Sequence, residues 1–409
     1  MNISHIANNK DLCCGCNSCE TVCPVNAVKM KIDEVGQLYP IIDEAVCIDC
    51  SLCAKVCCEN NEVDQLDTIT AYAGTYCNRD SSSKSSSGGI FPALANYILS
   101  QCGIVFGTAY TNGFHVEVIS VEDKKDLQKL QGSKYVKSHM GDCYKKILAE
   151  ARSGRKVLFS GVPCQVAAVK QYLGEDYPNV ILLDIVCHGT PSNKMFLDYL
   201  KFVEDDKKIE ITDFLFRDKD VGQDTRGKVV FKQNHLGKVV FKQNHLRAYK
   251  SSYYKLFLNC STFRESCYHC KFASSKRVGD ITICDYWGID EVDPEFVEQV
   301  KREGLTGISG ILVNTQKGIT CINDISEELV LKKTDVENIR KYNPQLVYPS
   351  QITPEHIEVM SLYKDKGYAA IDAYYHKKYR VKIATSTVGE VLPYSFKKKI
   401  LDLKKRAFG

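Results

Sequence analysis

Residues 13–24 read CCGCNSCETVCP, and residues 47–58 read CIDCSLCAKVCC. Each stretch places four cysteines at the spacing C-x2-C-x2-C-x3-C, and the second stretch begins 34 residues after the first. Pro24 ends the first stretch, whereas Cys58 occupies the equivalent position of the second. Two copies of such a regular spacing do not arise by chance, so we expect the eight thiols to serve together as ligands.

This spacing is typical of bacterial ferredoxins that hold two [4Fe–4S] clusters. Three thiolates of one stretch bind one cluster, and the fourth reaches the neighbouring cluster. We therefore predict one cluster on Cys13, Cys16, Cys19 and Cys57, and the other on Cys47, Cys50, Cys53 and Cys23. Paired zinc sites are the alternative interpretation. Cys14 and Cys58 are spare thiols beside these ligands.

The overall composition is that of a globular protein with an excess of cysteine. The chain has 409 residues, of which 44% are hydrophobic, 25% are charged and 20 are cysteines. A chain of this length does not need disulfides for stability, and its N-terminus lacks the basic and apolar regions of a secretory signal. We therefore expect a cytoplasmic protein whose clustered cysteines bind metal.

The charge distribution argues against a nucleic-acid partner. The net charge is +4, but residues 1–60 carry −4 and residues 376–409 carry +8, without a basic stripe interleaved with aromatics in the body of the chain. In the tail, one face of a predicted basic helix carries Phe396, Ile400, Leu403 and Ala407. A solvated helix docked on the body is the favoured interpretation, and peripheral contact with a membrane or an acidic partner is the alternative.

From about residue 104 to residue 290, strand-like and helix-like segments alternate, which favours an α/β domain with a partly parallel sheet. We expect an α/β chain, α+β overall, with a small ferredoxin-like domain before a larger mixed domain. The predicted segments are a ferredoxin-type domain at 1–60, a linker at 61–70, two parts of the larger domain at 71–150 and 151–320, and a helical, basic tail at 321–409. Residues 227–246 repeat GKVVFKQNHL twice; the copies could form a hairpin, and we assign them no role.

Four further cysteines are dispersed along the larger domain. Cys164 and Cys187 each follow a predicted strand, at 156–160 and 180–186, and Cys267 and Cys270 form a C-x2-C pair. If the two strands are parallel neighbours, their thiols lie at the carboxyl edge of the sheet, where open α/β folds bind ligands. A third [4Fe–4S] cluster is the favoured occupant, with zinc or inert core cysteines as alternatives.

Seven segments together resemble the coenzyme F420 hydrogenase/dehydrogenase beta-subunit family over roughly residues 1–320, with a two-cluster ferredoxin domain fused at the N-terminus. They are SSSGGIFPAL (85–94), LQGSKYVKS (130–138), VLFSGVPCQVAAV (157–169), DIVCHGTPS (184–192), FRDK (216–219), SCYHCKFA (266–273) and GDITICDYWGI (279–289). No single segment is specific, but their order and spacing are. Nothing in the sequence identifies a deazaflavin pocket, so the electron acceptor stays open.

The resemblance implies FAD beside a third [4Fe–4S] cluster held by Cys164, Cys187, Cys267 and Cys270. It also implies that two loops contact the flavin, together with His188; their residues are Ser86, Ser87, Gly88 and Gly89 in one, and Gly132, Ser133, Lys134 and Tyr135 in the other. The first loop would present hydroxyls and N–H groups to the pyrophosphate ahead of a helix dipole. Cys284 stands where family members often have glycine and could replace a ligand.

We therefore expect an oxidoreductase in which clusters and FAD relay electrons to or from a two-electron substrate, because a flavin couples one-electron carriers to such chemistry. A redox partner protein or a small molecule would complete the reaction. The alternative is a non-catalytic electron-transfer subunit or adaptor that docks on another redox enzyme and needs no flavin of its own.

Overall fold

The computed structural model describes residues 2–219, 226–235 and 238–391. The predicted tail helix with Phe396, Ile400, Leu403 and Ala407 lies outside the described residues. None of the helices in the described ranges combines the length and the apolar character needed to cross a bilayer.

The N-terminal domain is a small duplicated unit. Its elements are α1 (Ser4–Ala7), α2 (Ser18–Val22), β1 (Val28–Ile32), β2 (Leu38–Ile42) and α3 (Leu52–Val56), with β1 antiparallel to β2. The two cysteine stretches supply α2 and α3, each five residues long. Each helix follows a residue with left-handed backbone, Asn17 at φ 56° and Ser51 at φ 62°, so the chain turns sharply between the cysteines and the helix in both copies.

The larger domain is built on one eight-stranded mixed sheet. Its strands are β3 (Thr70–Tyr76), β4 (Ile104–Tyr110), β5 (Val116–Val121), β6 (Val157–Gly161), β7 (Val180–Ile185), β11 (Ile281–Asp285), β12 (Ser309–Val313) and β13 (Leu329–Thr334). The order is β13-β3-β12-β11-β7-β6-β4-β5. The central pairs β11–β7, β7–β6 and β6–β4 are parallel, and the outer pairs are antiparallel. The α/β prediction is confirmed.

Helices of the larger domain pack on this sheet and on a second, smaller one. They are α4 (Arg79–Ser83), α5 (Ile90–Ser100), α6 (Cys143–Arg152), α7 (Pro163–Leu173), α8 (Asn193–Lys207), α9 (Ser252–Leu258), α10 (Ile289–Val292), α11 (Pro294–Arg302), α12 (Gln316–Asp324), α13 (Val336–Lys341), α14 (Pro354–Lys366) and α15 (Tyr368–Val391). Every residue of β6 is buried, which explains why the central strands are continuous apolar runs instead of alternating ones. Pro163 starts α7, and Gly174 follows its last residue in the left-handed conformation.

A second, three-stranded sheet contains the tandem repeat. Its strands are β8 (Glu210–Leu215), β9 (Arg226–His235) and β10 (Lys238–Arg247), in the order β10-β9-β8. β9 and β10 pair antiparallel with Lys238 opposite His235, so the two copies of the repeat form the expected hairpin.

Two segments differ from their predicted organisation. Residues 321–409 are not a purely helical tail, because β13 joins the main sheet beside β3. The run Leu329–Thr334 is too short for its pattern alone to predict a strand. It becomes a strand because it pairs with β3, which is distant in the sequence. The predicted linker 61–70 lies along the body, where Leu66 pairs with Arg277 and the Ile69 N–H donates to the Val313 carbonyl at 2.8 Å.

Candidate functional site

The first cysteine group comprises Cys13, Cys16, Cys19 and Cys57, all of them buried. Burial raises the pKa of the Cys19 thiol well above its ordinary value, and the charges of Cys16, Cys13 and Cys57 act in the same direction, which places the four sulfurs in one another's field. The Tyr144 hydroxyl donates to the Cys16 carbonyl at 2.9 Å and ties the group to α6. The fold thus gathers the set that the spacing predicts.

The second group surrounds a cavity of about 20 Å³ that is lined by Cys23, Cys47, Cys50 and Cys53. Cys23 comes from the first stretch, directly after α2, and joins three cysteines of the second stretch. The duplication therefore produces the crossed grouping expected of two neighbouring clusters. The assignment of ligands to metal remains a prediction.

The dispersed cysteines meet at the carboxyl edge of the sheet. β6 and β7 are parallel neighbours, and Cys164 and Cys187 follow them, while Cys267 and Cys270 lie in and after the single helical turn Glu265–His269. All four line one cavity of about 210 Å³, together with Cys14 and His188. Cys284 is absent from that lining; it is buried in β11 with its thiol toward the Gly310 carbonyl at 3.7 Å.

Cys14 and Cys58 lie between the first group and this cavity. Their sulfurs are 3.8 Å apart, and the thiols of Cys14, Cys16 and Cys58 all lie within 4.8 Å of one another. The Cys58 thiol also points at the Cys164 carbonyl at 3.7 Å. A hydrogen bond from Cys14 lowers the pKa of Cys164 to about 6, against the opposing effect of burial. The spare thiols thus connect two of the predicted sites.

A buried ion pair holds the third site together. Arg277 and Asp184 are almost fully buried and meet at 2.6 Å. Arg277 also donates to the carbonyls of Phe272 and Ser274, and Asp184 accepts from the Gly279 N–H at 2.9 Å. Because Asp184 belongs to β7 and Arg277 follows the C-x2-C loop, the pair fixes that loop against the strand that leads to Cys187.

A lysine that the sequence analysis left without a role lies at this cavity. The Lys137 Nζ is 4.0 Å from the Cys164 sulfur. Burial disfavours the charged ammonium, but the neighbouring thiolates of Cys164 and Cys14 outweigh it and raise the pKa of Lys137. Within the described ranges Lys137 forms no ion pair with a carboxylate, so its charge faces the sulfurs.

Arg264 joins the N-terminal domain to the third site. Its Nε donates to the Cys13 carbonyl at 2.6 Å and its Nη2 to the Leu38 carbonyl at 2.8 Å, and its guanidinium lies 3.9 Å from the centre of the Tyr39 ring. Gly15 has φ +64°, and a Cβ there would lie 2.8 Å from the Arg264 Nη1. The positive φ and this close approach both favour glycine between Cys13 and Cys16.

Two families match this chain. Residues 154–339 match the family described as the C terminus of the beta subunit of coenzyme F420 hydrogenase/dehydrogenase, and residues 6–29 match the 4Fe-4S binding domain family. Over residues 154–339, this chain is therefore similar to the C terminus of the F420 hydrogenase/dehydrogenase beta subunit. The N-terminal segment is a ferredoxin-type 4Fe–4S domain. The predicted recognition is confirmed.

Two relatives illustrate the similarity. The F subunit of the F(420)H(2) dehydrogenase of Methanosarcina mazei is 23% identical over 225 residues, which cover 50% of this chain and 61% of the relative. A solved structure of the F420-reducing [NiFe] hydrogenase complex from Methanosarcina barkeri contains a chain that is 17% identical, with a TM-score of 0.42, over 76% of this chain and 92% of that one.

The two predicted flavin loops of the beta-subunit region lie in contact. The Ser133 N–H donates to the Ser86 hydroxyl at 2.8 Å. Gly89 has φ +82° and immediately precedes α5, so the Ser–Gly run is a loop that leads into a helix. A Cβ at Gly88 would lie 2.3 Å from the Gly74 carbonyl oxygen, which excludes any larger residue. Tyr135 stacks on Phe257 with ring centres 4.4 Å apart.

Two lysines lie at these loops, one of them missed from the sequence. Lys134 donates to the Gln131 carbonyl at 2.8 Å, and Lys219, from the FRDK segment, donates to the carbonyls of Ser82 and Thr306, each at 2.8 Å, and of Ser87. Burial lowers the pKa of Lys134 and of Lys219 to about 7. In the part of the chain that the structure describes, neither ammonium has a carboxylate partner. An ammonium has three N–H groups, so Lys134 keeps one for an anionic ligand such as a pyrophosphate, whereas Lys219 uses all three on carbonyls and can contribute only its charge.

Proposed function

We propose that this chain is an iron–sulfur flavoprotein oxidoreductase that relays electrons between ferredoxin-type [4Fe–4S] clusters and FAD and reduces or oxidises a two-electron substrate. The clusters would supply one-electron transfer, and the flavin would couple it to two-electron chemistry. We place the protein in the cytoplasm, with a redox partner or a small molecule as the second reactant. The observation that carries the proposal is the cavity at the sheet edge with its five thiols and the ammonium of Lys137.

The size and lining of this cavity favour a cluster over a zinc ion. Zinc sits about 2.3 Å from each of four sulfurs and leaves no empty space between them. Here Cys164, Cys187, Cys267 and Cys270 surround about 210 Å³. We therefore assign these four cysteines to a third [4Fe–4S] cluster.

The protein keeps the first and third sites close together and buried. Cys14 and Cys58, both buried, fill the space between Cys16 and Cys164, and Arg264 joins the backbone of Cys13 to the loop of Cys267. The Cys267 N–H donates to the Arg264 carbonyl at 2.9 Å. These contacts exclude water and fix the separation of the first and third sites, which is what a short electron-transfer path requires.

For FAD, the chain offers hydroxyls, N–H groups and two cations. Ser86, Ser87, Gly88 and Gly89 would meet the pyrophosphate ahead of α5, and Gly132, Ser133, Lys134 and Tyr135 would form the facing loop. His188 lines the cluster cavity, and burial lowers its pKa, so we expect a neutral imidazole there. The relative from Methanosarcina mazei is named for a reduced coenzyme F420, which makes a deazaflavin the first compound for a substrate screen.

Metal and flavin content of anaerobically purified protein tests this proposal. We expect about twelve irons, four for each cluster, and one FAD per chain. Cys164→Ser should lower the iron to about eight, because only the third cluster loses a ligand. Cys77→Ser, a change at an exposed cysteine, is the matched control and should leave about twelve.

The opposite result has a definite meaning. About eight irons and no flavin in the unaltered protein would reject the third cluster and the flavoenzyme. That result would favour the adaptor, a non-catalytic electron-transfer subunit, which the similarity to one subunit of a dehydrogenase also supports.

A further inference from the structure

The second cysteine group differs from the first in its exposure. Cys13, Cys16, Cys19 and Cys57 are all buried, whereas Cys50 is exposed and Cys23 and Cys47 are partly exposed. The first group contacts α6 and, through Cys14 and Cys58, the third site, whereas the second group reaches the protein surface at Cys50. Electron transfer rates fall steeply with distance, so a partner outside the protein would exchange electrons at the second group.

The surface around this group is apolar. Ile41, Val46, Ile48 and Leu52 are 48%, 44%, 61% and 37% exposed. They lie within twelve consecutive residues, and Ile48 also lines the cavity of the second group. Single exposed apolar side chains are common, but several beside an exposed ligand indicate a protein contact surface. We call these four residues, together with Asp43, Glu44 and Asp49, the 41–52 surface.

The same segment is acidic. Asp43, Glu44 and Asp49 are exposed, and residues 41–54 contain no lysine or arginine. In the ranges that the structure describes, none of the three carboxylates forms an ion pair with a basic side chain. Apolar contact area beside three carboxylates without an ion-pair partner matches a protein partner that carries apolar side chains and positive charge.

We propose that the 41–52 surface is the docking site of a protein electron carrier with a cationic rim, and that electrons enter or leave this chain there, one at a time. The proposal rests on the proposed function, because it requires a cluster at Cys23, Cys47, Cys50 and Cys53. In each encounter one cluster loses one electron and one oxidised carrier gains it, or the reverse.

The test uses the full chain with its clusters loaded, reduced anaerobically and freed of excess reductant. Oxidised mitochondrial cytochrome c, a lysine-rich carrier, serves as the probe, and its reduction is followed by stopped flow; each ferric haem takes one electron. The test variant combines Glu44→Lys with Asp49→Asn. Asparagine is chosen at position 49 because it tolerates the left-handed backbone that Asp49 adopts at φ 50°. The matched control, Asp205→Lys with Asp206→Asn, makes the same charge change on α8.

We expect the test variant to reduce cytochrome c at least about tenfold more slowly at low ionic strength, because steering by opposite charge raises association rates by about ten- to a thousandfold. The difference should shrink as salt rises to about 0.5 M, where charges are screened beyond a few ångströms. The control variant should reduce cytochrome c at a rate within about twofold of that of the unaltered protein. Neither variant should reduce ferricyanide more slowly than the unaltered protein does, because ferricyanide is an anion.

Two results would overturn the proposal. One is equal cytochrome c rates and equal salt dependence in the test variant and the control. The other is a dimer in solution that the test variant dissociates, because the surface would then be occupied by a second copy of this chain. Iron content and the number of reducible clusters are measured first on the unaltered protein; a missing second cluster would reject the proposed function itself, independently of any rate.

Discussion

Replacing Lys137 with methionine removes one positive charge from the third site and almost nothing else. The Lys137 Nζ lies 4.0 Å from the Cys164 sulfur. The other cations that line the cavity are compensated, since Arg277 pairs with Asp184 at 2.6 Å and Lys271 lies 3.7 Å from Glu59. Lys137 is therefore the charge at this cavity that no carboxylate of the described residues offsets.

The geometry sets the size of the effect. A unit charge about 4 Å from the added electron interacts by roughly 4 kcal/mol at an effective dielectric constant of about 20. An electron spread over a whole cluster lies farther away, and at about 7 Å the interaction is roughly 2.4 kcal/mol. Because about 2.3 kcal/mol corresponds to 100 mV for one electron, Lys137→Met should lower the midpoint potential of the third cluster by about 100–170 mV.

The assay is a redox titration followed by electron paramagnetic resonance on anaerobic protein of known iron content. Lys137→Arg keeps the charge and should stay within about 30 mV of the unaltered protein, a shift worth under 1 kcal/mol for one electron. Lys125→Met, at an exposed pair with Asp123, is the matched control and should shift nothing. A Lys137→Met protein with full iron and an unchanged potential would refute the assignment of Lys137 to the field of the third cluster.

Three further predictions concern ligands, loop anchoring and pH. Cys14→Ser should retain about twelve irons whereas Cys164→Ser should not, and iron loss in both variants would make Cys14 a ligand. Arg277→Met leaves Asp184 buried and unpaired, so it should destabilise the fold by about 3–5 kcal/mol in denaturant titrations; a cost under about 1 kcal/mol would contradict the anchoring role. Burial opposes ionisation of Glu355, but hydrogen bonds from Tyr379, Lys378, Ser261 and Asn259 lower its pKa to about 2. This lowered pKa contributes stability above about pH 4.5 that is lost as the pH falls toward 2, and Glu355→Gln should flatten the melting temperature over that interval.

The sequence predicted the parts of the site that are encoded locally. The ferredoxin spacing is a property of twelve residues, and the fold gathers Cys23 with Cys47, Cys50 and Cys53 as that spacing requires. The alternation of strands and helices likewise predicted the parallel pair β6–β7, from which the meeting of Cys164 and Cys187 follows. In both cases a short pattern determines the geometry.

The sequence did not predict the groups whose roles depend on distant contacts. Lys137 was visible in the LQGSKYVKS segment as one lysine among many, and only the fold places it against Cys164, which lies 27 residues away. The Arg277–Asp184 pair spans 93 residues, and β13 is a strand only because β3 is there to pair with it. Lys219 could have been suspected from FRDK, but its partners lie in α4, in the segment between α4 and α5, and in the segment between α11 and β12.

The distribution of charge indicates where electrons should rest. The second group lies among three carboxylates that no basic side chain of the described residues offsets, which lowers its affinity for electrons. The third site carries the unpaired ammonium of Lys137, which raises that affinity. The first group lies between them, with the buried guanidinium of Arg264 at the Cys13 carbonyl. Negative charge is therefore stabilised more strongly from the surface inward, so electrons delivered at the 41–52 surface should collect at the third site, beside the loops that we assign to the flavin. Lys137→Met should lower the potential of the third group, and Glu44→Lys with Asp49→Asn should raise the potential of the second group. Both variants should therefore reduce the difference in potential between the two groups.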